Sequence, residues 1–275
     1  MHVRFTLLGS GAVRNNPRRA GPSQIVHIGD QRLLFDCGRA ACLRLGQQGE
    51  SVEDIDRLFL THLHFDHIVD VPYFVFVGWN NSRQNKLRIT GPQGTTDFVE
   101  RLIRPPFEQD IESRLGHGKS EFGLDPQIVE VVERGTFYEE QDIRISAAFT
   151  DHSKMPTIAY RVEAQGQRIV ISGDGLPQDD FVEFARDADL LVYECSGTQE
   201  FLDQQPWGTW HIIPEALAEL ATECGVKRLM IKHLVIEDIT GDLTAVDKMG
   251  ETIRQRFDGE VLVGADGLVV DLGSV

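Results

Sequence analysis

Thr61-His62-Leu63-His64-Phe65-Asp66-His67 sets three imidazoles and a carboxylate within six residues of a 275-residue chain. Neutral imidazole nitrogen and carboxylate oxygen suit zinc and its neighbours in the first transition row, and a catalytic site keeps one coordination position open for water. A lone His-x-His is more often an accident of the surface; the added Asp66-His67 pair reverses that balance. Two alternating histidines can face one metal while Asp66 and His67 turn toward a second, so a two-metal centre is the economical explanation. The preceding run Ile55 to Leu60 reads as a buried strand, which places the ligands in the loop at its C-terminal end, where chemistry concentrates. Four residues cannot complete two metal shells, so the remaining sequence must supply at least one more histidine and a bridging carboxylate.

Upstream, Val3 to Leu8 reads as a first strand ending in Gly9-Ser10-Gly11. Arg14 to Arg19 carries three arginines and Pro17, and forms either an anion-binding lip or a solvated loop. Gln24 to Ile28 and Arg32 to Phe35 form a hairpin around Gly29-Asp30. Asp36-Cys37-Gly38 closes it, and Ala40 to Leu45 is a short helical pattern. Downstream, Ile68 to Val77 is a core helix, with Phe65 and Trp79 as candidate pocket walls. Leu87 to Thr90 is a strand, and Thr95 to Ile103 a helix stopped by Pro105-Pro106. Phe107 to Asp125 has no period, and its His117 is a surface residue.

Three strand-like runs follow, Gln127 to Val132, Asp142 to Phe149 and Ile158 to Val162, the middle one ending at His152. Arg168 to Ile171 runs into Ser172-Gly173-Asp174-Gly175, a carboxylate between glycines where close approach is possible. Leu190 to Tyr193 leads to Glu194. Trp207-Gly208-Thr209-Trp210-His211 precedes a helix with Pro214 near its start and Gly225 as its stop. Arg228 to Ile231 delivers Lys232-His233, a last helix carries Val246, Met249 and Ile253, and Val261 to Val263 and Leu268 to Val270 finish the sheets. Of nine histidines, His62, His64, His67, His152, His211 and His233 fall at strand ends or just before a helix.

The length and 41% hydrophobic content support one sizeable domain over 1–275. No run approaches the roughly 18 apolar residues that span a membrane, and the start has no long apolar signal core, so a cytoplasmic protein is expected. The four cysteines lack metal-binding spacing and read as buried thiols. A formal charge of -16 repels polyanions at long range and counts against nucleic acid.

The ordered series Leu8-Gly9-Ser10-Gly11-Ala12, Leu34-Phe35-Asp36-Cys37-Gly38, His-x-His-x-Asp-His, Gly91-Pro92-x-Gly94, Ala159-Tyr160-Arg161-Val162, Ser172-Gly173-Asp174 and His233 resembles the metallo-β-lactamase superfamily. Within it, the branch resembled holds ribonuclease Z, arylsulfatases and phosphodiesterases. The resemblance implies an αββα four-layer sandwich, two mixed sheets flanked by helices, with the metals along one edge. It implies that His62, His64 and His152 hold one ion, that Asp66, His67 and His233 hold the other, and that Asp174 bridges them. Zn²⁺ is the default, with Mn²⁺ or Fe²⁺ as alternatives. Asp66 and His211 carry catalytic roles, His211 as proton donor or oxyanion partner with Glu194 orienting it.

Trp207, Trp210, Phe65, Lys154 and Lys232 are candidate substrate contacts. Between Tyr160-Arg161-Val162 and Arg168 there is no room for the long arm with which ribonuclease Z grips transfer RNA, so the expected substrate is a small anionic ester and transfer RNA is set aside. The expected activity is hydrolysis of phosphodiesters. Alternatives on the same site are an arylsulfatase, a lactonase or a ribonuclease Z-type endonuclease, and the non-enzyme alternative is a binding or carrier protein. A homodimer is expected by analogy alone.

Overall fold

The computed structural model describes residues 2–236 and 242–273. Among them, one mixed sheet holds β1 (Val3–Gly9), β2 (Ser23–Ile28), β3 (Gln31–Phe35), β4 (Arg57–Phe59), β5 (Arg88–Gly91), β6 (Gln127–Glu130) and the closing strand β15 (Leu268–Asp271), in the order β15-β1-β2-β3-β4-β5-β6. The other holds β7 (Gly135–Glu140), β8 (Ile143–Asp151), β9 (Thr157–Ala164), β10 (Gln167–Ile171), β11 (Leu176–Pro177), β12 (Leu190–Glu194), β13 (Arg228–Lys232) and β14 (Glu260–Val263), in the order β11-β8-β9-β10-β12-β13-β14 with β7 beside β8. In each sheet the hairpin strands are antiparallel. The strands reached through helices, β3-β4-β5-β6 and β10-β12-β13-β14, are parallel, as crossover connections require.

Alternation along the strands sends one set of apolar side chains between the sheets and the other outward under helices. Phe5, Leu7, Phe35, Phe59, Tyr160 and Met230 belong to the inner set. Phe35 and Phe59 stack at 4.9 Å, Tyr160 meets Phe59 edge-on at 5.7 Å, and the Tyr160 hydroxyl donates to the Leu60 carbonyl at 2.7 Å. That bond ties the second sheet to the residue just before the histidine stretch. Helices α1 (Ala41–Gln47), α2 (Phe65–Ile68), α3 (Val71–Asn80) and α4 (Thr95–Gly116) belong to the first half of the chain; α5 (Phe181–Ala185), α6 (Gln199–Leu202), α7 (Pro214–Cys224) and α8 (Thr244–Arg254) belong to the second. Apolar residues of α1, α3 and α4 cover the outer face of the first sheet, and those of α5, α7 and α8 the outer face of the second. The layers are α/β/β/α, the metallo-β-lactamase sandwich. All four cysteines are buried and free.

Three local expectations are corrected. Pro105-Pro106 does not stop α4, which runs through both to Gly116. Two amide donors are lost there, but the turn is exposed, so water solvates the orphaned carbonyls. Phe107 against Phe76 at 4.6 Å, and Ile111 against Trp79 and Leu124, hold the second half of the helix. That packing also keeps Trp79, 1% exposed, out of the wall of the cavity beside the histidine stretch. Strand β7 carries no alternating apolar signal because it pairs at the sheet margin with both flanks exposed. Finally, Phe65 to Ile68 is a helical turn rather than loop, so Asp66 and His67 leave from its first turn.

Candidate metal centre

The C-terminal ends of β4, β10, β12 and β13 and the end of β8 all open on the same edge of the sandwich. Each delivers part of the site: His62, Asp174, Glu194, His233 and His152 in turn. The carboxyl edge of parallel strands is where open α/β sheets place ligands, because the strands stop and the loops diverge. Gly175, at φ +104°, turns the chain immediately after Asp174 in a conformation other residues rarely adopt.

The donor atoms fall into two groups. His62 Nε2 and His152 Nε2 lie 3.1 and 3.3 Å from His64 Nδ1. On the other side, His233 Nε2 and His67 Nε2 lie 3.4 and 3.9 Å from Asp66 Oδ2. Asp174 Oδ2 stands between the groups, 3.0 Å from His233 Nε2, 3.5 Å from His67 Nε2 and 3.8 Å from His62 Nε2.

The outward nitrogens of His62, His67 and His233 are already engaged. Asp36 Oδ1 accepts from the Thr61 amide at 2.7 Å, Thr61 Oγ1 lies 3.0 Å from His62 Nδ1, and Asp36 Oδ2 lies 2.9 Å from His67 Nδ1. Ser196 Oγ lies 3.0 Å from His233 Nδ1. Such partners fix the tautomer and aim the remaining nitrogen inward. Inward, His67 Nε2, His233 Nε2 and Asp174 Oδ1 are buried without a hydrogen-bond partner. Buried polar atoms are rarely left so, and these converge with the lone-pair geometry a divalent cation takes. The residues therefore fit metal ions.

Electrostatics agree with that fit. Burial, then repulsion from His67, holds His62 well below the ordinary imidazole value, and burial lowers His64 and His152 as well. Neutral imidazole is the ligating form. Burial alone would depress His67, but Asp174, Asp36 and Asp66 outweigh it and lift it to about 10. Three buried carboxylates around one imidazole are an excess of negative charge, and a divalent cation among the same oxygens would balance it as a proton does.

His211 sits beside these groups, its ring 5.1 Å from that of His152 and 5.8 Å from that of His233. Its Nδ1 lies 3.0 Å from Glu194 Oε1 and 3.1 Å from Ser196 Oγ, and Ser196 also reaches Glu194 Oε2 at 3.1 Å. Burial pulls His211 down, but Glu194 outweighs it and raises it to about 9.

The cavity over the donors holds about 280 Å³, with His64, Asp66, His152, Asp174, His211 and His233 in its floor and Val13, Phe65, Trp207 and Val235 in its wall. Phe65 is 63% exposed at the mouth, and the Trp207 ring stands 5.1 Å from that of His211. A larger cleft of about 590 Å³ lies at the opposite edge, but its charges, such as Lys227 with Asp189, satisfy one another. Trp210 and Lys154 lie outside the wall. Lys232 is fully buried: two residues after Met230 on the same strand, it leaves on the face between the sheets and its Nζ has no partner there.

Sequence reasoning assigned no role to Asp36, Thr61 or Ser196. The first two flank recognisable motifs; Ser196 stands two residues after Glu194, which was the available signal. An Asp36→Asn substitution keeps the shape but takes the charge from His67 Nδ1, and is expected to weaken metal binding about 10- to 100-fold, measured by competition with a chelating dye. Gly38 matters by proximity: a Cβ there would lie 2.2 Å from the Asp66 carbonyl oxygen. Gly38→Ala is expected to cost about 1–3 kcal/mol of stability and to displace Asp66, read as a lower Tm together with lost metal.

Fold order, edge position and donor set together define a metal-dependent hydrolase of the metallo-β-lactamase superfamily, acting on ester bonds. Among solved structures, the metallo-β-lactamase fold protein YhfI from Bacillus subtilis superposes with a TM-score of 0.79 at 22% identity, over 98% of this chain and 100% of that one. The short form of human tRNase Z superposes at 0.74 with 23% identity, over 98% and 100%. Both likenesses show the fold. More narrowly, the chain belongs to the family described as "Anti-Pycsar protein Apyc1", which matches residues 3–230. A curated relative, the ribonuclease Z of Mycolicibacterium gilvum, is 32% identical over 274 residues, 96% of this chain and 94% of that protein.

That relative corrects the expectation that transfer RNA is an unlikely partner. A protein named ribonuclease Z aligns over nearly its whole length with a chain that has no inserted arm, so the missing arm does not separate the two. Net charge is likewise a property of the whole surface, whereas an RNA backbone meets a local groove. Among the described residues no helix is long and apolar enough to cross a membrane.

Proposed function

We propose that this single hydrolase domain is a dinuclear-metal phosphodiesterase of ribonuclease Z type, acting on phosphodiester linkages of RNA. The observation that carries the proposal is Asp174 Oδ2 standing between two histidine groups, with His211 backed by Glu194 at the same cavity. His62, His64 and His152 would hold one divalent ion and Asp66, His67 and His233 the other, with Asp174 shared. Zn²⁺ suits the nitrogen-rich set, and Mn²⁺ or Fe²⁺ are the competitors. When bound, such ions supply a water acidic enough to attack at neutral pH and draw charge from the phosphoryl oxygens.

The chain's own residues do the rest. Glu194 accepts a hydrogen bond from Nδ1–H of the protonated His211, which leaves Nε2–H free to give its proton to the departing oxygen. Trp207, Val13 and Phe65 close an apolar wall that limits water around the reacting groups.

The support for RNA is the 32% identity across 96% of the chain to a protein named ribonuclease Z. A second reading, a small phosphodiester, is favoured by the narrow cavity of about 280 Å³. The test is turnover by metal-replete protein on a precursor transfer RNA, beside a panel sharing a nitrophenol leaving group: phosphodiester, phosphomonoester, sulfate and carboxylic ester, with a lactone alongside. Endonucleolytic cleavage of the precursor supports the proposal. Turnover of the small diester alone moves the substrate to the second reading. Preference for sulfate or lactone, or no turnover with metal bound, removes phosphodiester hydrolysis.

A further inference from the structure

The arginine-rich loop 14–19 is not absorbed by the reading above, and the structure separates its members. Arg19 is buried, donating to Ser10 Oγ and to the Gly264 carbonyl at 2.7 Å each, and acts as a strut. Arg14 is exposed, and its guanidinium carbon lies 5.4 Å from the centre of the Phe201 ring. Phe201 meets Trp207 edge-on at 6.2 Å, and Trp207 meets His211 at 5.1 Å. An aromatic strip thus runs from the reacting groups to a cation at the rim, and Val13, the residue before Arg14, lines the cavity itself.

The charge balance makes that cation unusual. In a chain with 43 acidic and 27 basic side chains, most exposed arginines sit on a carboxylate: Arg114 on Asp110, Arg134 on Asp180, Arg144 on Glu139. Among the described residues Arg14 has the face of Phe201 instead. A guanidinium held on a ring keeps its edge donors available for a planar or tetrahedral anion. Acidic residues elsewhere repel anions, so an uncompensated arginine beside the mouth is where an anionic ligand finds its attraction.

The geometry points to Arg14 as the binding residue for a second phosphate of the substrate, distinct from the diester being cleaved. The inference rests on the phosphodiesterase reading and deepens it: the preferred substrate carries consecutive phosphates, as a nucleotide chain does. Phe201 and Trp207 then position the guanidinium and flank the nucleoside between the phosphates. Binding there adds affinity without touching the bond-breaking groups, so it is read in KM rather than kcat.

The test compares two esters that differ only at the remote position: thymidine 5′-(p-nitrophenyl phosphate) with a free 3′-hydroxyl and with a 3′-phosphate. Metal-replete wild type is expected to show the lower KM on the 3′-phosphorylated ester. Arg14→Gln should raise that KM about tenfold, the worth of a charge-assisted bond, and erase the preference with kcat retained. Arg101→Gln, which removes the same charge from the exposed face of α4, should leave the preference intact. Phe201→Leu should move the same KM in the same direction by a smaller factor. Wild-type turnover of both esters with equal KM, or an Arg14→Gln effect equal on the two, overturns the assignment while leaving the phosphodiesterase reading standing. Turnover of neither ester by metal-loaded wild type that still cleaves precursor transfer RNA overturns the assignment alone, and turnover of neither the esters nor the precursor removes that reading and this inference with it.

Discussion

Asp174→Ala protein is expected to lose at least about 10³-fold in kcat/KM, roughly 4 kcal/mol of transition-state stabilisation, and to retain substantially less metal after dialysis. The argument is positional. Asp174 Oδ2 approaches nitrogens of His233, His67 and His62, which belong to both donor groups, so one substitution removes an oxygen from each. Its carboxyl group shows what it faces: burial pushes its acidity down, yet His233 and His67 outweigh burial and hold it well below the usual carboxylate range. Asp174→Asn is the sharper variant because it keeps the volume and removes only the charge, so a fold lost to a cavity cannot account for its effect. Circular dichroism and Tm of the metal-free proteins check the fold, and elemental analysis checks the ions. Full metal content with kcat/KM within tenfold of wild type would remove Asp174 from the centre.

Four donor residues were legible because each stands within three residues of the end of a strand whose apolar pattern is itself legible. His62 follows β4, His152 follows β8, Asp174 follows β10 and His233 follows β13, and the parallel order of the strands brings those ends together. The supporting layer was not legible for the opposite reason. Asp36 meets His67 across 31 positions and Ser196 meets His233 across 37, pairings that exist only once neighbouring strands, β3 with β4 and β12 with β13, lie side by side in their sheets. Lys232 shows the same limit from the other side: adjacent in sequence to His233, it is turned by strand alternation into the space between the sheets. The helix through Pro105-Pro106 escaped because a proline's cost depends on whether its lost donors leave carbonyls buried or wet, which is a property of the surface and not of the local sequence.

The His211→Ala substitution should discriminate between leaving groups, and that makes it more informative than simple loss of activity. A proton donor matters when the departing oxygen is a poor leaving group and matters little when it is nitrophenolate, already stable as an anion. The variant is expected to lose about 10²- to 10⁴-fold on a diester with an alkyl or ribose leaving group and within about tenfold on the nitrophenyl diester. Glu194 supplies the pH signature. In the metal-free protein burial lowers His211 and Glu194 more than reverses this, to about 9, so the donor is protonated at neutral pH and is lost as pH rises through that value. Glu194→Gln keeps an acceptor for Nδ1–H but removes the charge, leaving burial unopposed by its principal counterweight. The His211 proton is then lost at lower pH, so activity on the alkyl ester should fall near neutrality and recover on acidification, while the nitrophenyl ester shows neither change. A uniform loss on both leaving groups, with an unshifted pH profile in Glu194→Gln, would instead assign His211 to binding the phosphoryl oxygens.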